Sequence, residues 1–273
     1  MALRHQTPSH MLARIIASAG RKAIVIGSVA VLATVASAAL RITGASQIVI
    51  FVTTAVALAS LASVVGEATE QLGTRLGTGA TGVIQSALGN LPELFISIFA
   101  LRAGLVVVVQ TALIGSILAN SLLVLGVAFV VGGLRHGPQR FSAGTTRMTA
   151  ILLVLSVASL AIPTLATAPG APDFGHASNL SVVVAAVLLL VFVASIPMAI
   201  SGNIGPSREH HSANIAGWSL GASIAVLAIA GVAAAVVSDW FVTALTPAMA
   251  SLKLSEEFVG LVIVAIAGNA VEN

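Results

Sequence analysis

The chain has 273 residues, 58% of them hydrophobic and 8% charged, with twelve Lys and Arg against nine Asp and Glu and a mean hydropathy of +1.07. A water-soluble domain carries about 25% charged residues, so this chain cannot cover itself with polar surface and needs lipid as its solvent. The net charge of +3, with no basic cluster interleaved with aromatics, excludes nucleic-acid binding, and the lack of cysteine excludes disulfides, zinc fingers and thiol catalysis.

Eight apolar stretches follow one another: 23–41, 46–72, 79–101, 104–133, 148–168, 179–201, 214–244 and 257 to the end. Each is near the ~20 residues that cross a bilayer as a helix. They predict an all-α, polytopic membrane protein with about eight transmembrane helices. The first stretch has Arg14, Arg21 and Lys22 ahead of it and contains Ala36-Ser37-Ala38, like a signal peptide. Its apolar run is long for a signal core and seven more stretches follow, so it is read as a membrane helix. The organisation is then a tail and first helix (1–45), a five-helix unit (46–201), and a loop with a second, shorter unit (202–273).

With the N-terminus in the cytoplasm, Arg4, Arg14, Arg21, Lys22, Arg75, Arg135, Arg140, Arg147 and Arg208 fall inside, and only Arg41, Arg102 and Lys253 outside. That is the positive-inside bias of an integral protein, here assigned to the cell (inner) membrane. Trp218 and Trp240 suit interfacial anchors or simple packing, and the six histidines are read as loop residues.

Five acids fall within the apolar stretches: Glu67, Glu70, Glu93, Asp239 and Glu272. Each costs about 2.5–3.5 kcal/mol at a helix centre on insertion scales. Glu70 precedes the polar QLGTRLG and can reach the headgroups. Glu93 lies mid-stretch with no basic residue within a turn. Gly89 and Asn90 stand three to four residues earlier, on the same helical face. Pro92 donates no amide hydrogen bond and its ring displaces the Leu88 carbonyl. A carboxylate, an amide oxygen and loosened carbonyls are hard donors that suit Ca²⁺, and less selectively Mg²⁺ or Mn²⁺; no sulfur or imidazole stands nearby for zinc or copper.

The pattern occurs twice. Gly268-Asn269-x-x-Glu272 repeats Gly89-Asn90-x-x-Glu93, and Val236-Val237-Ser238-Asp239 echoes Val64-Val65-Gly66-Glu67 one stretch earlier in each case. The copies lie on the third and eighth stretches, so they run in opposite directions. Inverted repeats of this kind build secondary transporters, with broken helices meeting at the midplane around one ion site. Glu67 and Asp239, in matching places, are expected on opposite sides of that site as proton relays.

These residues resemble the Ca²⁺/H⁺ exchanger family of the cation/calcium antiporter superfamily. The resemblance is densest over 66–133 and returns at 254–273. It implies the inverted-repeat cation antiporter fold, with eleven helices as one plus two sets of five, and Ca²⁺ held by Glu93 and Glu272. The family's G-S-x-L-x-N on the fourth helix corresponds to Gly115, Ser116, Leu118 and Asn120. The chain departs from the family in having Asn273 where a His is usual, and only one acid in GPSREHHS. It also stops inside the eighth stretch, so it is expected to be a fragment.

The expected function is Ca²⁺/H⁺ antiport. Gly89, Asn90, Glu93, Gly268, Asn269 and Glu272 would bind the metal, and Glu67, Glu70, Ser116, Asn120 and Asp239 would relay protons or support the site. The alternative is a non-transporting membrane protein or assembly subunit that keeps half of the fold. Enzyme chemistry is not expected: there is no Ser–His–Asp or HExxH constellation, and the glycines of 73–82 precede no GK[ST]. No cofactor is expected beyond transported Ca²⁺ and protons. The lipid bilayer is the expected partner, and a homo-oligomer is compatible with the sequence.

Overall fold

In hydrocarbon every backbone amide must find a partner within the protein, and a helix achieves this segment by segment. The computed structural model describes residues 8–76, 84–85, 87–138, 143–171, 175–200 and 218–269, and every regular element among them is helical. In chain order these are α1 (Pro8–Ile42), α2 (Gln47–Leu76), α3 (Leu91–Arg102), α4 (Val106–Leu118), the π-helical turn π1 (Ala119–Val124), α5 (Leu125–His136), α6 (Ala143–Ala166), α7 (Ala177–Ile200), α8 (Leu220–Leu252), α9 (Glu256–Phe258), the second π turn π2 (Val259–Val264) and α10 (Ala265–Asn269). Among the described residues, four stretches are long and apolar enough to cross a membrane: Ala23–Ile42, Gln47–Gly73, Val106–His136 and Leu220–Leu252. Shorter apolar helices cover Ala150–Ala166 and Ser178–Ala194. The third and eighth stretches correspond to α3 and to α9–π2–α10, each adjoining residues outside those described.

Local chemistry moves some boundaries from where hydropathy puts them. The helix of the seventh stretch, α8, begins after Ser219, whose hydroxyl accepts the Ala222 amide at 3.2 Å, and ends at Lys253 in the left-handed region with φ 54°. It therefore occupies 220–252 rather than 214–244. His10 and His136 lie within helices rather than loops. His136 closes α5, and Arg135 in the same last turn complements the exposed carbonyls.

The core is built on α2 and α8, which pack antiparallel; α1 covers another side of α2. Ala57, Leu58, Val65, Ala234, Val237, Phe241 and Leu245 are fully buried. Alanines let the backbones approach, which is how helices associate where lipid removes the usual hydrophobic drive. At one end Phe51 stacks on Phe241 with ring centroids 5.1 Å apart, and the Arg41 guanidinium covers Trp240 at 5.1 Å. At the other end the Trp218 amide donates to Gln71 Oε1 at 3.3 Å. Buried hydroxyls turn back on their own helices: Ser37 donates to the Ala33 carbonyl, Thr54 to Ile50 and Thr69 to Val65, each at 2.7 Å.

The crossing of α4 with π2 is tighter than any side chain permits. A Cβ added at Gly115 would overlap the Leu261 carbonyl and lie 2.7 Å from the Ala265 Cβ. A Cβ added at Gly260 would overlap the Val108 carbonyl and the Thr111 hydroxyl, and lie 3.1 Å from the Ala112 nitrogen. The two glycines thus face each other's helices, and the backbones touch. Elsewhere α3 leans on α8, and α6 packs with α7.

Gly260→Ala must push these helices apart and should destabilise the protein by about 1–3 kcal/mol, the scale of overpacking. Gly126→Ala, on α5 with nothing within 4 Å of the added carbon, should be neutral or stabilising by up to ~1 kcal/mol through helix propensity. Thermal unfolding in detergent compares them; equal midpoints would contradict the close crossing.

Candidate functional site

The break in the third apolar stretch falls at its glycine and asparagine. Gly89 and Asn90 form a turn after a helical contact from the Gly89 amide to the Gln85 carbonyl at 2.9 Å. Asn90, at φ −93° and ψ 16°, is the residue from which α3 starts, and its carbonyl accepts the Leu94 amide at 3.0 Å. Pro92 sits in the first turn, where its missing N–H costs nothing and its fixed φ favours a helix start. Spacing alone places Gly89, Asn90 and Glu93 on one helical face. The structure instead puts the first two in the turn and makes Glu93 the third residue of a new helix, because a proline opens a helix more readily than it continues one. Glu93 gains from this position: a carboxylate in a first helical turn lies at the positive end of the helix dipole.

The Glu93 side chain, half-buried, runs across to two other elements. Ser116 near the end of α4 donates its hydroxyl to Glu93 Oε1 at 2.9 Å. On the other side stands Gly268 of α10, buried, where an added Cβ would overlap the Glu93 Cγ and lie 2.7 Å from Oε1. The carboxylate of the first GNxxE therefore rests on the backbone of the second. Gly115 makes this possible from below, since its contact with Leu261 and Ala265 draws α4 and α10 together one residue before Ser116. Asn120 is half-buried in π1, one turn beyond Ser116. Glu272 and the Asn269 side chain lie outside the described residues. Among the described residues no three acidic or histidine side chains cluster.

Glu67, on α2, is half-buried, and its Oε1 accepts from Gln71 Nε2 at 2.9 Å. Glu70 is exposed near the polar end of the same helix, and Asp239 is exposed on α8. The antiparallel register, set by Phe51 on Phe241 and Gln71 on Trp218, puts Glu67 and Asp239 about 23 Å apart along the helix pair at ~1.5 Å per residue. Leu91 touches α8 at Gly231, with 3.8 Å between its Cδ1 and an added Cβ there. The start of α3, and Glu93 with it, thus lies at a level between those two acids. Gln71 carries no expectation from the motifs; its signal is its place four residues after Glu67, one helical turn on.

Over residues 46–200 the chain matches the family described as sodium/calcium exchanger protein. It is 30% identical over 257 residues to the Ca²⁺/H⁺ antiporter of Aphanothece halophytica, covering 83% of this chain and 65% of that protein. It is 33% identical over 233 residues to the Ca²⁺/H⁺ antiporter ChaA of Bacillus subtilis (strain 168), covering 82% and 65%. The vacuolar calcium ion transporter of Schizosaccharomyces pombe is 32% identical over 234 residues, covering 82% and 56%. The solved structure of native YfkE superposes with a TM-score of 0.73 at 30% identity, covering 91% of this chain and 70% of that one. The chain thus spans about two thirds of the length of these bacterial relatives. The match extends over more than half of its residues and the fold agrees with it: this chain belongs to the sodium/calcium exchanger family.

Proposed function

We propose that the chain is the greater part of a Ca²⁺/H⁺ antiporter, a transporter rather than an enzyme, with no resident cofactor. The observation that carries this reading is the Glu93 carboxylate lying between Ser116 and the Gly268 backbone. The names of the bacterial relatives, Ca²⁺/H⁺ antiporters, support the same substrates. In this reading Glu93 and Glu272 neutralise one Ca²⁺, and carbonyl and amide oxygens at Gly89, Asn90, Gly268 and Asn269 complete its shell. Ser116 and Asn120 orient the carboxylates. Two protons arriving on the acids remove the charge that held the ion and release it, so a proton gradient drives Ca²⁺ uphill. Access alternates by rocking of the two inverted units about a fixed site.

The first unit is 46–201, preceded by the tail and first helix (1–45) and followed by a loop and the second, shorter unit (202–273); the family match over 46–200 supports this division. The protein sits in the cell membrane with its N-terminus in the cytoplasm, in keeping with the distribution of its basic residues.

Glu93→Gln keeps the shape of the side chain and removes the charge. Losing one partner of a buried charge pair costs about 3–5 kcal/mol, so Ca²⁺ uptake into proteoliposomes carrying the complete protein should fall more than about 100-fold. Uptake at the unsubstituted rate would refute the site.

Exchange should follow the pH gradient. The two GNxxE segments offer carboxylates but no added hydroxyl or Asp cluster for several Na⁺. Ca²⁺ movement driven by a sodium gradient at equal pH on both sides would overturn proton coupling.

Glu67 and Asp239, placed towards opposite ends of the α2–α8 pair, would pass protons between the site and each membrane face. Glu67→Gln and Asp239→Asn should slow exchange and shift its pH dependence while Ca²⁺ binding at equilibrium changes less. Rates are measured against pH and normalised to folded protein. Two unchanged profiles would rule out the relay, and loss of folded protein alone would make both acids packing residues.

A further inference from the structure

The structure assigns Gln71 as the positioning residue for Glu67, fastening that carboxylate to the start of α8; this rests on the relay role given to Glu67 above. Gln71 is half-buried on α2, one turn beyond Glu67. Its Nε2 donates to Glu67 Oε1 at 2.9 Å, and its Oε1 accepts the Trp218 amide at 3.3 Å. Only one of the two orientations of the side-chain amide serves both neighbours. An ionised carboxylate can only accept, and a backbone N–H can only donate. The amide is therefore locked by its partners at both ends.

Where the second bond lands gives it its consequence. Trp218 stands immediately before Ser219, the residue that caps α8. Between Leu220 and Ser238, α8 carries no ionisable side chain. This stretch of α8 therefore has no charged group of its own with which to hold Glu67, and its polar link to that acid runs through the Trp218 backbone and Gln71. Among the described residues α2 and α8 pack closely along each other, so a displacement of one along the other moves the Trp218 amide relative to Gln71 and disturbs the side-chain amide that Gln71 presents to Glu67. The hydrogen bonding of the acid is thereby tied to the seating of α8. A charge-assisted bond is roughly twice as strong as a neutral one, so the link is firm while Glu67 is ionised and loosens when it takes a proton. Glutamine alone has this reach and this pair of functions: Asn is a methylene shorter, Glu lacks the donor and Met lacks both.

The test is a cycle of Gln71→Met, Glu67→Gln and the double variant in the complete protein, reconstituted in proteoliposomes. Gln71 is outside the Ca²⁺ shell, so Gln71→Met should lower maximal exchange about five- to tenfold, the scale of one or two lost hydrogen bonds, with half-saturating Ca²⁺ unchanged. If Gln71 acts through Glu67, the double variant should be no slower than Glu67→Gln alone. Gln71→Glu keeps the acceptor for Trp218 and so the start of α8; it should be as slow as Gln71→Met, which keeps the proposal testable if Gln71→Met folds poorly. Unsubstituted turnover in either variant, or losses that multiply in the double variant, would overturn the assignment. Absence of exchange in the unsubstituted protein would count against the antiporter reading alone. The same cycle is then read in thermal-unfolding midpoints, where independent effects of the two substitutions would break the Gln71–Glu67 link.

Discussion

An ionised carboxylate does not belong in hydrocarbon, and the arrangement around Glu93 answers to that constraint. Taken alone, such a group is disfavoured at the bilayer centre by about 2.5–3.5 kcal/mol on insertion scales. Three features offset part of this. The chain is broken at Gly89–Asn90, which places the acid in the first turn of a helix whose amides favour negative charge. Ser116 supplies a hydroxyl donor. Gly268 brings bare backbone against the side chain.

Those features come from separate segments, and their convergence depends on the glycine crossing. Lipid gives helices little hydrophobic reason to associate; close van der Waals contact and backbone proximity must do so. Gly115 and Gly260 meet that need reciprocally, each removing the side chain that would hold the other helix away. Ser116 follows the first glycine directly, and Gly268 stands two turns beyond the second. A shift of about 1 Å at the crossing would therefore be felt at the carboxylate, which is the tolerance that site geometry generally demands.

Much of this was legible in the sequence, for identifiable reasons. Hydropathy located the helices because lipid penalises any other backbone. The break at Gly89–Asn90–Pro92 was legible because proline and glycine act locally. The repeat of the motif marked both segments in the sequence, and in the structure Glu93 lies against Gly268. What was not legible is set by tertiary packing. The π turns at 119–124 and 259–264 contain no residue that signals a widened helix. The Gly115–Gly260 pairing joins segments far apart in the chain, and glycine is common throughout. The Trp218–Gln71 bond uses a backbone donor, which no side-chain pattern reveals. The start of α8 was misplaced because hydropathy does not register the cap at Ser219.

The placement of the two tryptophans has a use of its own. Trp218 precedes α8 at one end and Trp240 lies against Arg41 towards the other. At ~1.5 Å per residue they are about 33 Å apart along the helix, close to the ~30 Å thickness of a hydrocarbon core. The chain contains no other indole. Its intrinsic emission is thus the sum of two lamps, one just before α8 and one within it. Quenchers attached at graded depths along a lipid tail would read the tilt and vertical position of α8 without any label.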